Sequence, residues 1–334
     1  MDRIRLIYID RMKGLAILIV VLAHVYLISL DMRESLVFRF CSSFEIPLFM
    51  FVSGFVAYFS TTDMEQQQIN RKFLKRFLSY VCPAFIISYC TTAYNYLFFG
   101  GRTPDLLNVL IGGAWYLKAL AIFVCIHALL LKCKNLIWEL LFIIIVEVLF
   151  LLGWKTSPFL LRFLCLEHCF FFFPFFMIGY YFRRYGLIEK LKSQNWIFTI
   201  ALIGYICLLN ADIEIRALSS LSERLVRPLF AILAITYLFA SRESEDSRFE
   251  RWLNNIGKRT LDIYVYHGIL VLGTYSIVDM SFLKDNTIML NNPWMILIIA
   301  SLITLMLTYI AIWIGYIVRK SGLLTKVIYG QFFK

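Results

Sequence analysis

Apolar runs of about 17 to 25 residues recur along almost the whole of this chain, separated by short polar connections. A run of that length is what an α-helix needs to cross a bilayer, where every backbone N–H and C=O must be satisfied within the segment itself. With 60% hydrophobic, 17% aromatic and only 16% charged residues, the chain is too apolar for a water-soluble domain of ordinary composition. The connections are too short to hold a soluble domain of their own. We therefore read residues 1–334 as one all-α, polytopic membrane domain, a bundle of about ten transmembrane helices. Hydropathy places them near 12–30, 37–59, 77–99, 113–131, 136–153, 164–182, 196–210, 226–240, 260–279 and 293–318. The first run continues to Leu30 without a small-residue cleavage site, so it is expected to be a retained helix rather than a signal peptide.

The net charge of +11 suggests nucleic acid at first sight, but there is no soluble basic domain to hold a duplex, and no nucleic-acid partner is expected. Charge position explains the excess better. With the N-terminus in the cytoplasm, the inner segments carry about 23 Lys and Arg against about 9 outside, so both termini are expected to be cytoplasmic. The inner clusters, INRKFLKRF, YFRRYGLIEKLK and SRESEDSRFERWLNNIGKRT, read as short basic loops that either anchor helices to anionic membrane lipid or bind a phosphate-bearing cytosolic ligand. The eight cysteines are scattered through apolar runs and read as packing residues. Cys165 and Cys169, with His168 beside them, are the weak exception as a metal pair, and no metal is expected.

Polar residues inside these spans are costly and therefore informative. The stretch IDRMKGLAILIVVLAH places Lys13 and His24 eleven residues apart, about 16 Å along a helix and within about 20° of one face. Arg11 points about 140° away. Asp10 precedes Lys13 by three residues and can pair with it at the cytoplasmic mouth. Lys13 either snorkels to the interface or binds negative charge there. His24 is too deep to snorkel; it is either a neutral histidine satisfied by a carbonyl or a general base. Glu45 in the second span should lie at a similar depth on an antiparallel neighbour, where its carboxylate can orient and stabilise the imidazole, pair with Lys118, or stay protonated.

Trp115 and Lys118 lie one turn apart in GGAWYLKALAIF, as do Tyr264 and His267 in GKRTLDIYVYHGIL. Each pair reads either as interface and structural contacts or as part of a substrate site. His127, His168 and Glu147 are weaker candidates. The motifs of soluble enzymes are missing: no Walker loop, H-E-x-x-H, G-x-S-x-G or dinucleotide fingerprint occurs.

These stretches resemble the integral-membrane acyltransferase-3 family of bacterial surface-polysaccharide O-acyltransferases. YIDRMKGLAILIVVLAH is similar to the family's opening helix, in which ten positions separate a basic residue from an essential histidine; Lys13 and His24 keep that spacing. FEIPLFMFVSGF resembles the second helix, RKFLKRFLSYVCP the basic run leading to a proline (Arg76 and Pro83), and AWYLKAL and TLDIYVYHGIL the segments carrying Trp115 and His267. Two departures stand out: the family's basic residue is often arginine and here is Lys13, and position 45, often histidine, here is Glu45.

The resemblance implies a stand-alone enzyme of the bacterial inner (cytoplasmic) membrane. It would move an acyl group, acetyl first of all, from cytosolic acyl-CoA to a hydroxyl of a glycan or lipid-linked glycan acceptor. His24 and Glu45 are the expected catalytic pair. Lys13, Arg71, Lys72 and Arg76 are the expected contacts to acetyl-CoA, and Trp115, Lys118, Tyr264 and His267 the expected substrate contacts. The alternative is a transporter or flippase of a polysaccharide or its lipid-linked unit, against which stands the lack of an inverted repeat or paired broken helices.

Overall fold

The computed structural model describes residues 6–58, 64–133, 135–156, 163–210, 216–242, 247–276 and 292–332. All regular structure among them is helical. Six of these helices are long and apolar enough to cross a membrane: Ile7–Ser29, Leu36–Ala57, Gln66–Phe99, Leu136–Thr156, Ser219–Ser241 and Pro293–Lys320. Four further expected spans are shorter or more polar. Those at 113–131 and 196–210 are apolar helices of fewer than 18 residues. That at 164–182 is a 19-residue helix with Glu167 at one end and Arg183 and Arg184 at the other. The ninth is a 17-residue helix, and its expected last residues, 277–279, lie outside the described ones, as does residue 59 at the end of the second.

The chain packs as two compact units. The first comprises Met1–Tyr58 and Phe175–Trp313, the second Phe59–Pro174 and Ile314–Lys334. The first unit opens with α1 (Ile7–His24), which runs on as a π-helical turn over Val25–Ser29, followed by α2 (Leu36–Ser42) and α3 (Glu45–Ala57). The sequence suggested one helix over 37–59, but it breaks at Ser43 and Phe44. Pro47, in the first turn of α3, fits the break: it has no N–H to give the carbonyl of residue 43, although Pro83 and Pro174 are carried inside the continuous helices Gln66–Phe99 and Leu166–Arg184.

The second unit holds α4 (Gln66–Phe99), α5 (Leu106–Ile111), α6 (Trp115–Leu130) and α7 (Leu136–Thr156). Helix α8 (Leu166–Arg184) begins there and passes into the first unit after Pro174. The first unit continues with α9 (Leu187–Lys192), α10 (Asn195–Asn210) and α11 (Arg216–Leu221). It then adds α12 (Arg227–Ser241), α13 (Arg248–Gly257) and α14 (Thr260–Ser276). Helix α15 (Pro293–Lys320) and the short α16 (Gly322–Tyr329) end the chain.

The basic clusters expected as inner loops lie largely in helices among the described residues. The run INRKFLKRF lies near the start of α4, from its fourth residue on, and the 34 residues of that helix reach about 51 Å and so exceed a hydrocarbon core of about 30 Å. YFRRYGLIEKLK closes α8 and forms α9. The described part of the third cluster contains α13, which starts with a capping box: the Ser247 hydroxyl accepts from the Glu250 N–H, and the Glu250 carboxylate accepts from the Ser247 N–H.

Two glycine seams hold the first unit together. A Cβ at Gly14 would collide with the backbone carbonyl of Leu253, and one at Gly257 with that of Asp10, so α1 and α13 touch backbone to backbone. Gly54 of α3 and Gly179 of α8 stand in the same relation to the carbonyls of Phe176 and Phe51. In the second unit, Phe73 and Val124 form a small core between α4 and α6, filled out by Ile69, Phe77 and Tyr80.

Candidate active site

Helix α1 sorts its charges in the way the helical arithmetic requires. Arg11 is 2% exposed and points into the first unit, where Nη1 donates to the Arg242 carbonyl at 2.8 Å and lies 3.5 Å from the Glu250 carboxylate of α13. Lys13 lies on another face, keeps about a quarter of its side chain exposed, and pairs with Asp10 at 3.3 Å. Arg11 therefore fastens the helix, while Lys13 is a half-exposed cation held in place by its own turn.

His24 is the last α-helical residue before the π turn. Its Nδ1 lies 2.7 Å from the Val20 carbonyl oxygen. A carbonyl only accepts, so Nδ1 carries a hydrogen and donates it, and the lone pair of neutral His24 is on Nε2. The ring meets that of His267 on α14 edge to face, with centroids 5.2 Å apart and planes 81° apart. His267 repeats the arrangement: its Nδ1 donates to the carbonyls of Tyr264 at 2.9 Å and Ile263 at 3.1 Å, which again leaves Nε2 as the basic atom. Tyr264 lies beside it at 5.5 Å between ring centroids.

The π turn explains how α1 presents His24 to α14. In an α-helix residues five apart diverge by about 140°, whereas a π turn bonds residue i to i+5 and brings them back to one side. The Leu30 N–H donates to the Val25 carbonyl at 3.0 Å in this manner. As a result Ser29 faces α14 as His24 does, and its hydroxyl shares a buried 2.6 Å hydrogen bond with Thr274. Thr274 lies seven residues, two turns, beyond His267 on the same face. Two polar contacts thus clamp the turn to α14.

Glu45 is placed differently from the sequence expectation. It begins α3, is 8% exposed, and makes no hydrogen bond to His24; its Oε2 is buried without a hydrogen-bond partner. It lies within electrostatic reach of Cys41, one turn earlier in the chain. The histidine pair is a tertiary contact between segments remote in sequence; the sequence singled out His267, one turn from Tyr264, but did not pair it with His24. Nothing in the residue pattern announced the π turn.

In the second unit Trp115 starts α6 and stacks on His168, with ring centroids 4.1 Å apart and planes 28° apart, and on Phe172 at 5.4 Å. Lys118 spends two of its three donors on the carbonyls of Gly112 at 2.6 Å and Leu110 at 2.7 Å, closing the C-terminal end of α5. It therefore fixes a turn in which Gly113 and Ala114 both have positive φ. On α4, Arg71 and Lys72 are exposed and Arg76 is half-buried, within electrostatic reach of His127 and Tyr80. All eight cysteines are free thiols. Among the described residues no three His, Cys, Asp or Glu side chains are grouped so as to hold a metal ion.

No curated protein and no solved structure matches this chain. The pattern of the acyltransferase-3 family, described as an acyltransferase domain, matches residues 6–313 of the 334 and so takes in both units. With most of its length covered by that match, and with several helices suited to a bilayer, the chain belongs to the acyltransferase-3 family of membrane proteins.

Proposed function

We propose that this protein is an O-acyltransferase of the bacterial inner membrane with both termini in the cytoplasm. In this reading it moves an acetyl group from cytosolic acetyl-CoA to a hydroxyl of an exported or cell-surface glycan, or of its lipid-linked precursor. The observation that carries the proposal is the state of His24: Nδ1–H is tied to the Val20 carbonyl, Nε2 is left basic, and the ring is set against His267 at the clamped π turn. A base held in this way suits proton abstraction from a weakly acidic hydroxyl.

In the proposed step Nε2 of His24 takes the acceptor's hydroxyl proton while the oxygen attacks the thioester carbonyl. The C–S bond breaks, the CoA thiolate leaves, and it recovers the proton from His24. The products are the glycan ester and free CoA. His267 touches the His24 ring and keeps it in one orientation, and Tyr264 lines the same face of α14. Lys13, about 16 Å down α1, suits the donor's phosphates, since a charge-assisted contact needs no rigid loop. Arg71, Lys72 and Arg76 form a separate basic set on α4, whose part in donor binding is tested on its own. Trp115, with its His168 partner, offers a flat aromatic face for a sugar ring, and Lys118 holds the turn beneath it.

The test is transfer of radiolabelled acetyl from acetyl-CoA to the cell-surface glycan by protein in proteoliposomes without a membrane gradient. His24→Ala at matched protein level is expected to lose at least about 100-fold in rate, the lower end of what a general base contributes. Transfer by His24→Ala at the parent rate sinks the mechanism. Movement of glycan across the vesicle without transfer favours a transporter instead.

A further inference from the structure

A cluster of polar side chains in the first unit is left over once His24 and His267 are accounted for. The Tyr26 hydroxyl, on the π turn two residues past His24, belongs to a residue only 1% exposed and has no hydrogen-bond partner. Glu45 Oε2 and Arg227 Nε, on α3 and α12, are likewise buried and unpartnered. The Cys41 thiol of α2 lies within electrostatic reach of Tyr26, Glu45 and Tyr205. Tyr205 of α10 in turn lies within reach of Arg227 and shares a 2.8 Å hydrogen bond with Ser43. The rings of Phe40 and Phe44 stand edge-on to Tyr205, with centroids 6.0 and 5.9 Å away.

Buried polar atoms are nearly always paired, so three orphans converging from three helical segments call for a ligand that supplies their partners. Their demands differ. An ionised carboxylate oxygen accepts, a guanidinium N–H donates, and a phenol does either. A phosphate would satisfy Arg227 and be repelled by an ionised Glu45, while an apolar ligand would satisfy none of the three. Two neighbouring hydroxyls satisfy all of them, since each can donate to one group and accept from another. Of the aromatic cluster, Phe44 and Tyr205 are buried and Phe40 is exposed, so the Phe40 ring is the surface on which the apolar face of a sugar ring can rest.

We propose that Tyr26, Glu45 and Arg227 form an acceptor subsite for a sugar ring bearing vicinal hydroxyls, a proposal that rests on the glycan-acyltransferase reading above. Glu45 then binds the acceptor instead of orienting His24.

The experiment is saturation-transfer NMR on the full chain in lipid nanodiscs, with methyl α-glycosides of mannose, galactose and rhamnose and their monodeoxy derivatives as probes. Acetyl-CoA binding is measured in parallel. At least one glycoside is expected to bind, and removal of either hydroxyl of one vicinal pair should weaken it about ten-fold or more. Tyr26→Phe and Glu45→Gln should each weaken the same glycoside by about ten- to hundred-fold while acetyl-CoA still binds as in the parent. The proposal is overturned if no glycoside binds, or if deoxy sugars and variants bind as well as their parents; intact acetyl-CoA binding in that case leaves the transferase reading standing. Glycoside binding of the expected pattern without acetyl-CoA binding upholds the sugar site and fells the transferase reading. The deoxy series uses only the parent protein, so it decides the matter even if a variant fails to fold.

Discussion

Replacing Gly257 by alanine tests the seam that sets the angle of α1 and with it the placing of Lys13 and His24. A Cβ at 257 would stand 2.6 Å from the Asp10 carbonyl carbon and 3.1 Å from the Gly14 nitrogen, and closest of all to the Asp10 oxygen. These are backbone atoms of α1 that cannot rotate away. Ordinary contact begins at 3.4 Å, so relieving even the 2.6 Å contact moves α13 back by at least 0.8 Å, 3.4 minus 2.6. The same retreat stretches the Arg11–Glu250 ion pair from 3.5 Å to about 4.3 Å, past the roughly 4 Å reach of such a pair. Both partners are buried, with 3% and 9% of their side chains exposed, and disruption of a buried pair costs about 3–5 kcal/mol. Overpacking of the seam adds about 1–3 kcal/mol where the helices do not move. A loss of at least about 1 kcal/mol, and up to about 3–5 kcal/mol if the pair is fully lost, is expected, read as unfolding at a lower SDS fraction in mixed micelles. Trp252 on α13, whose indole N–H donates to the Tyr309 hydroxyl at 2.7 Å, supplies the fluorescence signal. Gly273→Ala is the control: no atom lies within 4 Å of its Cβ, so it should be neutral or gain up to about 1 kcal/mol of helix propensity. Equal stability of Gly257→Ala and the parent would refute the backbone seam and the account of Arg11 built on it.

Three further outcomes are expected. Lys13→Ala and, tested separately, Arg76→Ala should each weaken acetyl-CoA binding by about ten- to hundred-fold in an equilibrium assay, and unchanged affinity returns the residue to lipid anchoring. Ser29→Ala removes one side of the buried 2.6 Å bond to Thr274 and should cost about 1–3 kcal/mol, whereas the double variant Ser29→Ala, Thr274→Val should recover part of that loss; additive losses would show that the clamp carries no coupling. Arg248→Cys, on the exposed start of α13, should react with a membrane-impermeant thiol reagent only after the cytoplasmic face is opened, and labelling of intact cells from outside would reverse the assigned orientation.

The membrane class, the helical architecture and the place of most spans were legible because apolar runs of bilayer length admit few other structures. The different fates of Arg11 and Lys13 were also legible, since two residues of helical rotation separate an inward from a half-exposed face. The reading of SRESEDSRFERWLNNIGKRT as a basic loop passed over the S-x-x-E pattern at Ser247–Glu250, which is the capping box that starts α13. The break between α2 and α3 was not legible: Pro47 lies in unbroken hydropathy, and Pro83 and Pro174 lie inside continuous helices.

The site itself depended on tertiary structure. His24 could be singled out from its depth, but its partner could not, because a helix apolar on every side does not say which neighbour it faces. The sequence favoured Glu45 on an argument of equal depth, whereas packing set His267 against His24 and left Glu45 with Cys41. That choice was made by backbone contact at Gly14 and Gly257, which fixes α1, and by the π turn, which rotates Ser29 toward Thr274. Both are properties of helices already packed together: a local pattern sets the period of one helix, while the partner of each buried polar group is decided by which helices can approach most closely.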